Sequence, residues 1–551
     1  MPIAKWHRFH VITYLLRALS VRIDLSHDQK DVDEIMQLHS LRPKDTYTNP
    51  QERLWVSYAW AEYARHNGHH TTSTAYETAL SLMGDTLLLA PTLETQHFHL
   101  VLLRNVIEEL PLDIASYEIG TGQLQQAIQT LERGRALIWS EMRGLRTSTN
   151  QISAEYLTEE LAKINIKLEA LTMSVSSEDD GAVEDSETLE MDKFGRLVVR
   201  HQKLLAKRRE LVSQIQAFPG FENFLKTPSF ETFRSAAVGG PIIIVNHSKW
   251  HCDILILLHD TGPSLITTPA NFNDRAIELR NRLVRTRNDH PLESKQYQRA
   301  LRFVLKNLYE LVGRPVIREL RRLKIQEQSR IWWCPTSVFC SLPLHAMGPI
   351  PSNNGVLRYF SDIYISSYTP TISALIESRK PSKSSLEKPS VLLVANPDED
   401  MDHAVPEIWH VQRLNAKVTT LMGKRATPSA VVEGLQSHQF AHSICRGILE
   451  AEKPFNASFK VSNGDRLTLL EIVRSILPHA EFAFLSACHT AELTEGSIAD
   501  EGLHLTAAVQ YCGFRSVVGT MWAMADQDGG DLAKHFYDSM FSNYDPGVPY
   551  H

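Results

Sequence analysis

Cysteine is scarce in this 551-residue chain and unevenly placed: Cys252, Cys334, Cys340, Cys445, Cys488 and Cys512 are the full set, with none before residue 252 and none in Cys-x-x-Cys spacing. That distribution excludes a disulfide framework and a zinc site built on paired thiols. It fits a reducing compartment, so a cytoplasmic location is expected, with the nucleus as the alternative. Long apolar runs are missing too, and none approaches the about 18 residues of a membrane-spanning helix. The apolar start Val11 to Leu16 is cut by Arg17 and lacks a small-residue cleavage site, which argues against a signal peptide. A basic surplus is also absent. The net charge is −7, and removing the eight carboxylates Glu178, Asp179, Asp180, Glu184, Asp185, Glu187, Glu190 and Asp192 turns it into +1. A near-neutral remainder offers no footprint for nucleic acid or an anionic membrane, and neither partner is expected.

What is present is ordinary globular material, 43% hydrophobic and 22% charged, enough for several cores. Residues 1–150 carry helical periodicity: Leu54, Tyr58, Ala61 and Ala64 recur at three- and four-residue spacing, as do Ala127, Leu131, Gly134 and Leu137. The small-large-small order of Gly122 to Gly134 resembles the second helix of a tetratricopeptide repeat, and Asp31 to Pro43 looks like a degenerate copy. A generic helical bundle is the competing reading. Residues 151–218 read as two polar helices around an acidic insertion, 176–192, whose like charges repel and which is expected to be disordered.

Beyond about residue 235 the texture becomes short β-branched runs separated by helical stretches. Strand candidates are Pro241–Asn246, Ile254–Leu258, Arg330–Cys334, Val391–Ala395, Phe440–Ile444, Phe482–Leu485 and Ser516–Gly519. Such alternation predicts an α/β domain with a largely parallel sheet covered on both faces. Sites in these sheets lie beyond the carboxyl ends of the strands, where Arg446-Gly447 and Cys488 stand.

Six ordered blocks carry a resemblance: Ile331–Thr336, Leu342–Ala346, Ser366–Pro370, His442–Gly447, Leu485–Ala491 and Gly519–Asp526. Together they resemble the CHAT domain, a caspase-like three-layer α/β fold often found behind tetratricopeptide repeats and related to separase and the caspases. The resemblance covers roughly residues 219 to 540, within a domain taken as 219–551, and Ala127–Trp139 looks like the family's upstream helix. It implies that Cys488 is the nucleophile of a cysteine peptidase. It also implies that the proton-transferring histidine should immediately precede Gly447, where this chain has Arg446. A guanidinium near the thiol could favour the thiolate, but with a pKa above about 12 it cannot cycle a proton at neutral pH.

By the same resemblance the backbone N–H groups of Gly447 and Cys488 form an oxyanion hole, with a plain turn as the alternative reading of Gly447. Asp526 corresponds to the carboxylate that accepts Arg or Lys before the cleaved bond; as the alternative, with Asp528 it caps a helix from Gly529 to Met540. His442 is four residues from Arg446 on the same strand face, about 13 Å away at about 3.3 Å per residue, and is expected to be a core histidine. His489 is expected to be a loop or packing residue. Trp250, Trp332 and Trp333 are expected in the core. No cofactor or metal is expected, since His345 and His251 lack metal-ligand spacing. The chain stops at His551, shortly after the helix holding Phe536 and Tyr537, whereas relatives usually continue through a further helix; a missing outer element would leave apolar sheet surface uncovered.

Three functions follow as expectations: an impaired peptidase acting through protein partners bound by the helical repeats, an active endopeptidase cutting after Arg or Lys, or a repeat-type adaptor. Oligomeric state is not readable from these features.

Overall fold

A computed structural model describes residues 11–12, 14–16, 18–19, 21–22, 29–41, 43, 49–87, 89–147, 155–174, 186–350, 357–380, 389–396, 404–450, 452–462, 464–486, 490, 498–502, 504–523 and 526–542, without the side chains of 155, 186–193, 526–527 and 542. They fall into two units, Met1–Gln123 with Arg133–Thr227, and Leu124–Glu132 with Pro228–His551.

The first unit is helical. Its helices are α1 (Gln29–Leu41), α2 (Pro50–His66), α3 (Thr72–Leu87), α4 (Leu93–Leu102), α5 (Arg104–Gly120), α7 (Leu137–Arg146), α8 (Glu155–Thr172) and α9 (Ser186–Gln216). Helix α2 starts where the sequence provides a cap, with the Asn49 side chain accepting from Gln51 N–H and Pro50 at the first position. The periodic set Leu54, Tyr58, Ala61 and Ala64 is buried on one face, and small residues there let α2 and α3 pack closely. The second periodic set is broken: α6 (Leu124–Arg133), which belongs to the second unit through Glu132, ends before Gly134, and Ala136 adopts a left-handed φ of 49° ahead of α7. Two helices replace the single run Ala127–Trp139.

The segment expected as a linker belongs to the first unit. Helices α8 and α9 pack together through Leu161, Ile164, Leu168, Leu205, Leu211 and Ile215, whereas Ile166 points outward. The acidic stretch also differs from expectation, because α9 begins at Ser186 and takes in residues 186–192. Glu, Leu and Met are good helix formers, and carboxylates near a helix start are favoured by the backbone dipole. Residues 176–185 lie outside the described residues.

The second unit holds two five-stranded sheets where one was expected. The first has the order β3-β2-β1-β4-β5, from β1 (Ile242–Asn246), β2 (Asp253–Leu257), β3 (Ser264–Thr267), β4 (Arg330–Pro335) and β5 (Ile365–Tyr368). Its β3-β2-β1 part is antiparallel and its β1-β4-β5 part parallel. Preceding it is α10 (Phe230–Ser235). Helices α11 (Phe272–Asp289), α12 (Lys295–Leu308) and α13 (Arg314–Arg322) bury Leu279, Val304 and Ile317 in the same core as Ile243, Ile254 and Trp333. Helix α14 (Ile372–Ser378) follows β5.

The second sheet is wholly parallel, in the order β13-β12-β8-β6-β7: β6 (Ser390–Ala395), β7 (Lys417–Met422), β8 (Phe440–Ile444), β12 (Phe482–Leu485) and β13 (Ser516–Val518). One face packs Leu393, Phe440 and Phe484 against α15 (Ala404–Gln412) and α19 (Asp526–Ser542). The other meets α16 (Pro428–Ser437), α17 (Leu469–Arg474) and α18 (Leu505–Tyr511), and Val431, Ile472 and Val509 join Ala441 and Ala483 around a small apolar void. Three layers result, as expected. Three short strands, β9 (Arg446–Ile448), β10 (Ser458–Lys460) and β11 (Arg466–Thr468), form a separate antiparallel sheet ordered β11-β10-β9. Among the described residues, no helix is long and apolar enough to cross a membrane.

Candidate active site at the carboxyl end of the second sheet

Strands β8 and β12 are parallel neighbours, with Ser443 opposite Leu485. Their carboxyl ends therefore open on one sheet edge, the position at which parallel α/β sheets bind ligands. β12 ends at Leu485, three positions before Cys488. Cys488 and His489 themselves lie outside the described residues.

On the β8 side the chain does not run straight through position 446. The strand closes at Ile444, whose carbonyl accepts from Asn396 N–H at 3.1 Å, and Cys445 forms a bend with its buried thiol 3.8 Å from the Val394 carbonyl. Arg446 then opens β9, opposite Lys460, and Gly447 lies opposite Phe459. The expectation that His442 and Arg446 share one strand face is corrected by this bend: the two belong to different sheets. The turn reading of Gly447 is corrected as well, since it is a strand residue. The Arg446 side chain is exposed and, among the described residues, makes no hydrogen bond or ion pair.

Thr490, two places beyond Cys488, is anchored. Thr490 is fully buried; its carbonyl accepts from both Thr506 N–H and Thr506 Oγ1 at 3.0 Å, and its hydroxyl oxygen accepts from Thr520 N–H at 2.9 Å. These bonds tie the residue two places after the cysteine to α18 and to the exit of β13. Gly519 makes room for them, because a Cβ there would stand 2.5 Å from Thr506 Oγ1 and 2.8 Å from Thr490 Oγ1. His504 caps α18 by accepting Ala507 N–H on Nδ1 at 3.2 Å, and burial pushes its imidazole down to about 4. None of these supports was singled out in the sequence. The signal is hydrogen-bonding Thr directly after the Cys-His pair and a Gly-Thr pair at a strand exit.

His442 is a core residue as expected, but not an apolar one. Its Nε2 lies 3.0 Å from Glu407 Oε1 and its Nδ1 2.9 Å from the Tyr537 hydroxyl, while its ring stacks on Phe484 at 5.0 Å. His442 and both polar partners are buried. Burial, with the Glu407 charge beside it, pushes the Tyr537 hydroxyl well above its ordinary value. Both ring nitrogens of His442 are occupied, so this histidine is not free to serve a thiol as base. Glu407 and Tyr537 come from α15 and α19 and carry no sequence pattern that announces the contact.

Asp526 is the first residue of α19, three residues earlier than the helix start expected, and its side chain lies outside the described residues. Trp333 is fully buried, Trp332 is nearly so with the Arg379 guanidinium 5.1 Å from its ring centroid, and Trp250 is only half-buried. His345 Nδ1 meets the Tyr368 hydroxyl at 2.9 Å. Among the described residues, Glu62, Glu109 and Asp113 of the first unit bring ligand-type oxygens together, and the Tyr58 hydroxyl lies 2.9 Å from the last two.

Residues 302–546 match the CHAT domain. No curated protein matches the sequence. Chains in two crystal structures of the Saccharomyces cerevisiae separase–securin complex, at 2.6 and 3.0 Å resolution, are similar in structure, with TM-scores of 0.40 and 0.36 and identities of 10% and 9%. The matches cover 98% and 97% of this chain, which spans only 45% of the length of either separase-complex chain. The chain combines a helical region with an α/β domain, and the CHAT match falls on the latter.

Proposed function

We propose that this CHAT-domain protein is an impaired cysteine peptidase that acts through protein or peptide partners, bound by its tetratricopeptide-like helices. The carrying observation is Arg446, two residues beyond the carboxyl end of the strand that pairs with β12, in the place where the family resemblance puts histidine. A peptidase of this type needs an imidazole to take the thiol proton and return it to the departing amine. A guanidinium does neither. His442, the nearest histidine before position 446, has both nitrogens engaged by Glu407 and Tyr537. The remaining elements, Gly447 as an oxyanion donor and Asp526 as the acceptor of a basic side chain, complete a site that would hold a peptide without turning it over efficiently.

The test is cleavage of an Arg-containing peptide by the full chain and by Arg446→His. The wild type should be slow, and Arg446→His should raise kcat by about 10²- to 10⁴-fold, the usual worth of acid–base assistance. Efficient wild-type cleavage abolished by Cys488→Ala would instead establish the active endopeptidase. Failure of Arg446→His to change the rate would remove Arg446 as the cause of impairment.

A further inference from the structure

Apart from the sheet edge, the second unit has a cavity of about 240 Å³ between the end of β3 and the junction of α12 with α13, and its wall is rich in arginine. Arg275 comes from the first turn of α11, and Arg314 and Arg318 from one face of α13. Thr267 and Thr268, at the end of β3, complete the polar wall, and Glu310 supplies its one carboxylate. Buried Ile266 and Leu311 make the floor apolar.

The backbone explains why these groups converge. Between α12 and α13 the helix passes through a π-turn, Tyr309–Gly313, in which Arg314 N–H bonds back five residues to Tyr309 C=O. Pro315 has no N–H to give Leu311 the ordinary α-helical bond, so the wider turn is built into the sequence. Turns of this kind concentrate at functional sites. Here it places Glu310 against Arg314 at 2.6 Å and turns Arg318 to the same cavity.

The charges do not balance internally. Glu310 neutralises Arg314, but Arg275 and Arg318 make no hydrogen bond or ion pair among the described residues, and neither does the Thr267 hydroxyl. Thr268 has already given its hydroxyl proton to the Cys252 carbonyl at 2.5 Å. Three guanidiniums against one carboxylate leave the wall two positive charges in excess. Arg314 and Arg318 are exposed and partly screened by solvent, and an anion among the three guanidiniums would relieve the repulsion that remains. Guanidinium forks suit oxygens of a tetrahedral dianion, which offers more acceptors than a carboxylate.

We propose that this cavity binds the phosphate dianion of a small molecule, either free phosphate or a short phosphate ester. The volume lies below the about 300–1,000 Å³ of pockets for drug-sized ligands and suits a phosphate group better than a whole nucleotide.

Titration calorimetry of the full chain at fixed ionic strength tests this with inorganic phosphate, glycerol phosphate, sulfate and a phosphoserine peptide. Saturable binding of inorganic phosphate or glycerol phosphate is expected, and whichever binds more tightly identifies the source. The Arg275→Gln/Arg318→Gln variant should weaken it at least about tenfold, since each charged hydrogen bond contributes about 1.5–3 kcal/mol. Glu310→Gln frees Arg314 and should tighten binding severalfold, a gain that misfolding cannot produce. Competition by sulfate, a tetrahedral dianion of the same shape, supports the proposal; it is overturned by absence of saturable phosphate binding, by equal affinity of the double arginine variant with an unchanged melting temperature, or by binding of the phosphopeptide alone.

Discussion

At the scale of the residue, the sheet core depends on a buried ion-type contact. Glu407→Ala leaves His442 Nε2 without its partner in the buried core while Nδ1 keeps the Tyr537 hydroxyl, and it should destabilise the protein by about 3–5 kcal/mol, the usual cost of breaking a buried pair. Urea denaturation followed by circular dichroism would read this as a lower midpoint with an unchanged slope. His504 makes a separate, pH-dependent contribution. Its folded-state value of about 4 lies below the ordinary histidine value, so between the two the unfolded chain takes up a proton that the folded protein refuses. Stability from this group is therefore complete above about pH 6.5 and is lost as pH falls toward 4. His504→Asn keeps an oxygen to cap α18 without titrating, and its melting temperature should fall less than that of the wild type between those pH values. His247 and His201, each pushed down to about 4 by burial, act in the same direction in both proteins and cancel in the comparison.

Elements were legible in proportion to their burial. β8 and β12 match the expected Phe440–Ile444 and Phe482–Leu485 residue for residue, because all or nearly all of their side chains are buried and read as continuous apolar runs. β7 and β5 were missed for the opposite reason: Lys417-Val418-Thr419-Thr420 and Ile365-Ser366-Ser367-Tyr368 are half-exposed edge strands with mixed polarity. The β9–β11 sheet has strands of three residues each, too short for a period to show. For the site, sequence located both strand ends but not the Cys445 bend, which depends on where Val394 and Asn396 fall in space. Packing at element level is testable at Gly434, where a Cβ would meet Leu392 Cδ1 at 2.8 Å. Although alanine is the better helix former, Gly434→Ala should push α16 from the sheet and cost about 1–3 kcal/mol, measured as a lower urea midpoint.

Across the whole molecule the thiols differ in accessibility. Cys252, Cys334, Cys445 and Cys512 are buried, and burial pushes the Cys252 thiol up to about 12. Limited iodoacetamide labelling followed by peptide mapping should leave these four unmodified in the folded protein, with half-buried Cys340 labelled slowly; faster labelling of Cys488 would mark it as the reactive thiol. The presence of two large sheets was not foreseen, because the apolar runs at Ile242–Val245 and Val391–Ala395 look alike in sequence and nothing in composition assigns them to different layers.

One helix that precedes the expected boundary at residue 150 belongs to the second unit. The Glu132 carboxylate, near the end of α6, accepts the backbone N–H groups of Ile372 and Ser373 at 2.8 and 2.7 Å, closing the start of α14 from 240 positions upstream. A recombinant fragment begun at residue 219 would therefore arrive with two amides stripped of their acceptor, and a cut at 124 would split the helical unit instead. Neither half can be excised cleanly with a single incision.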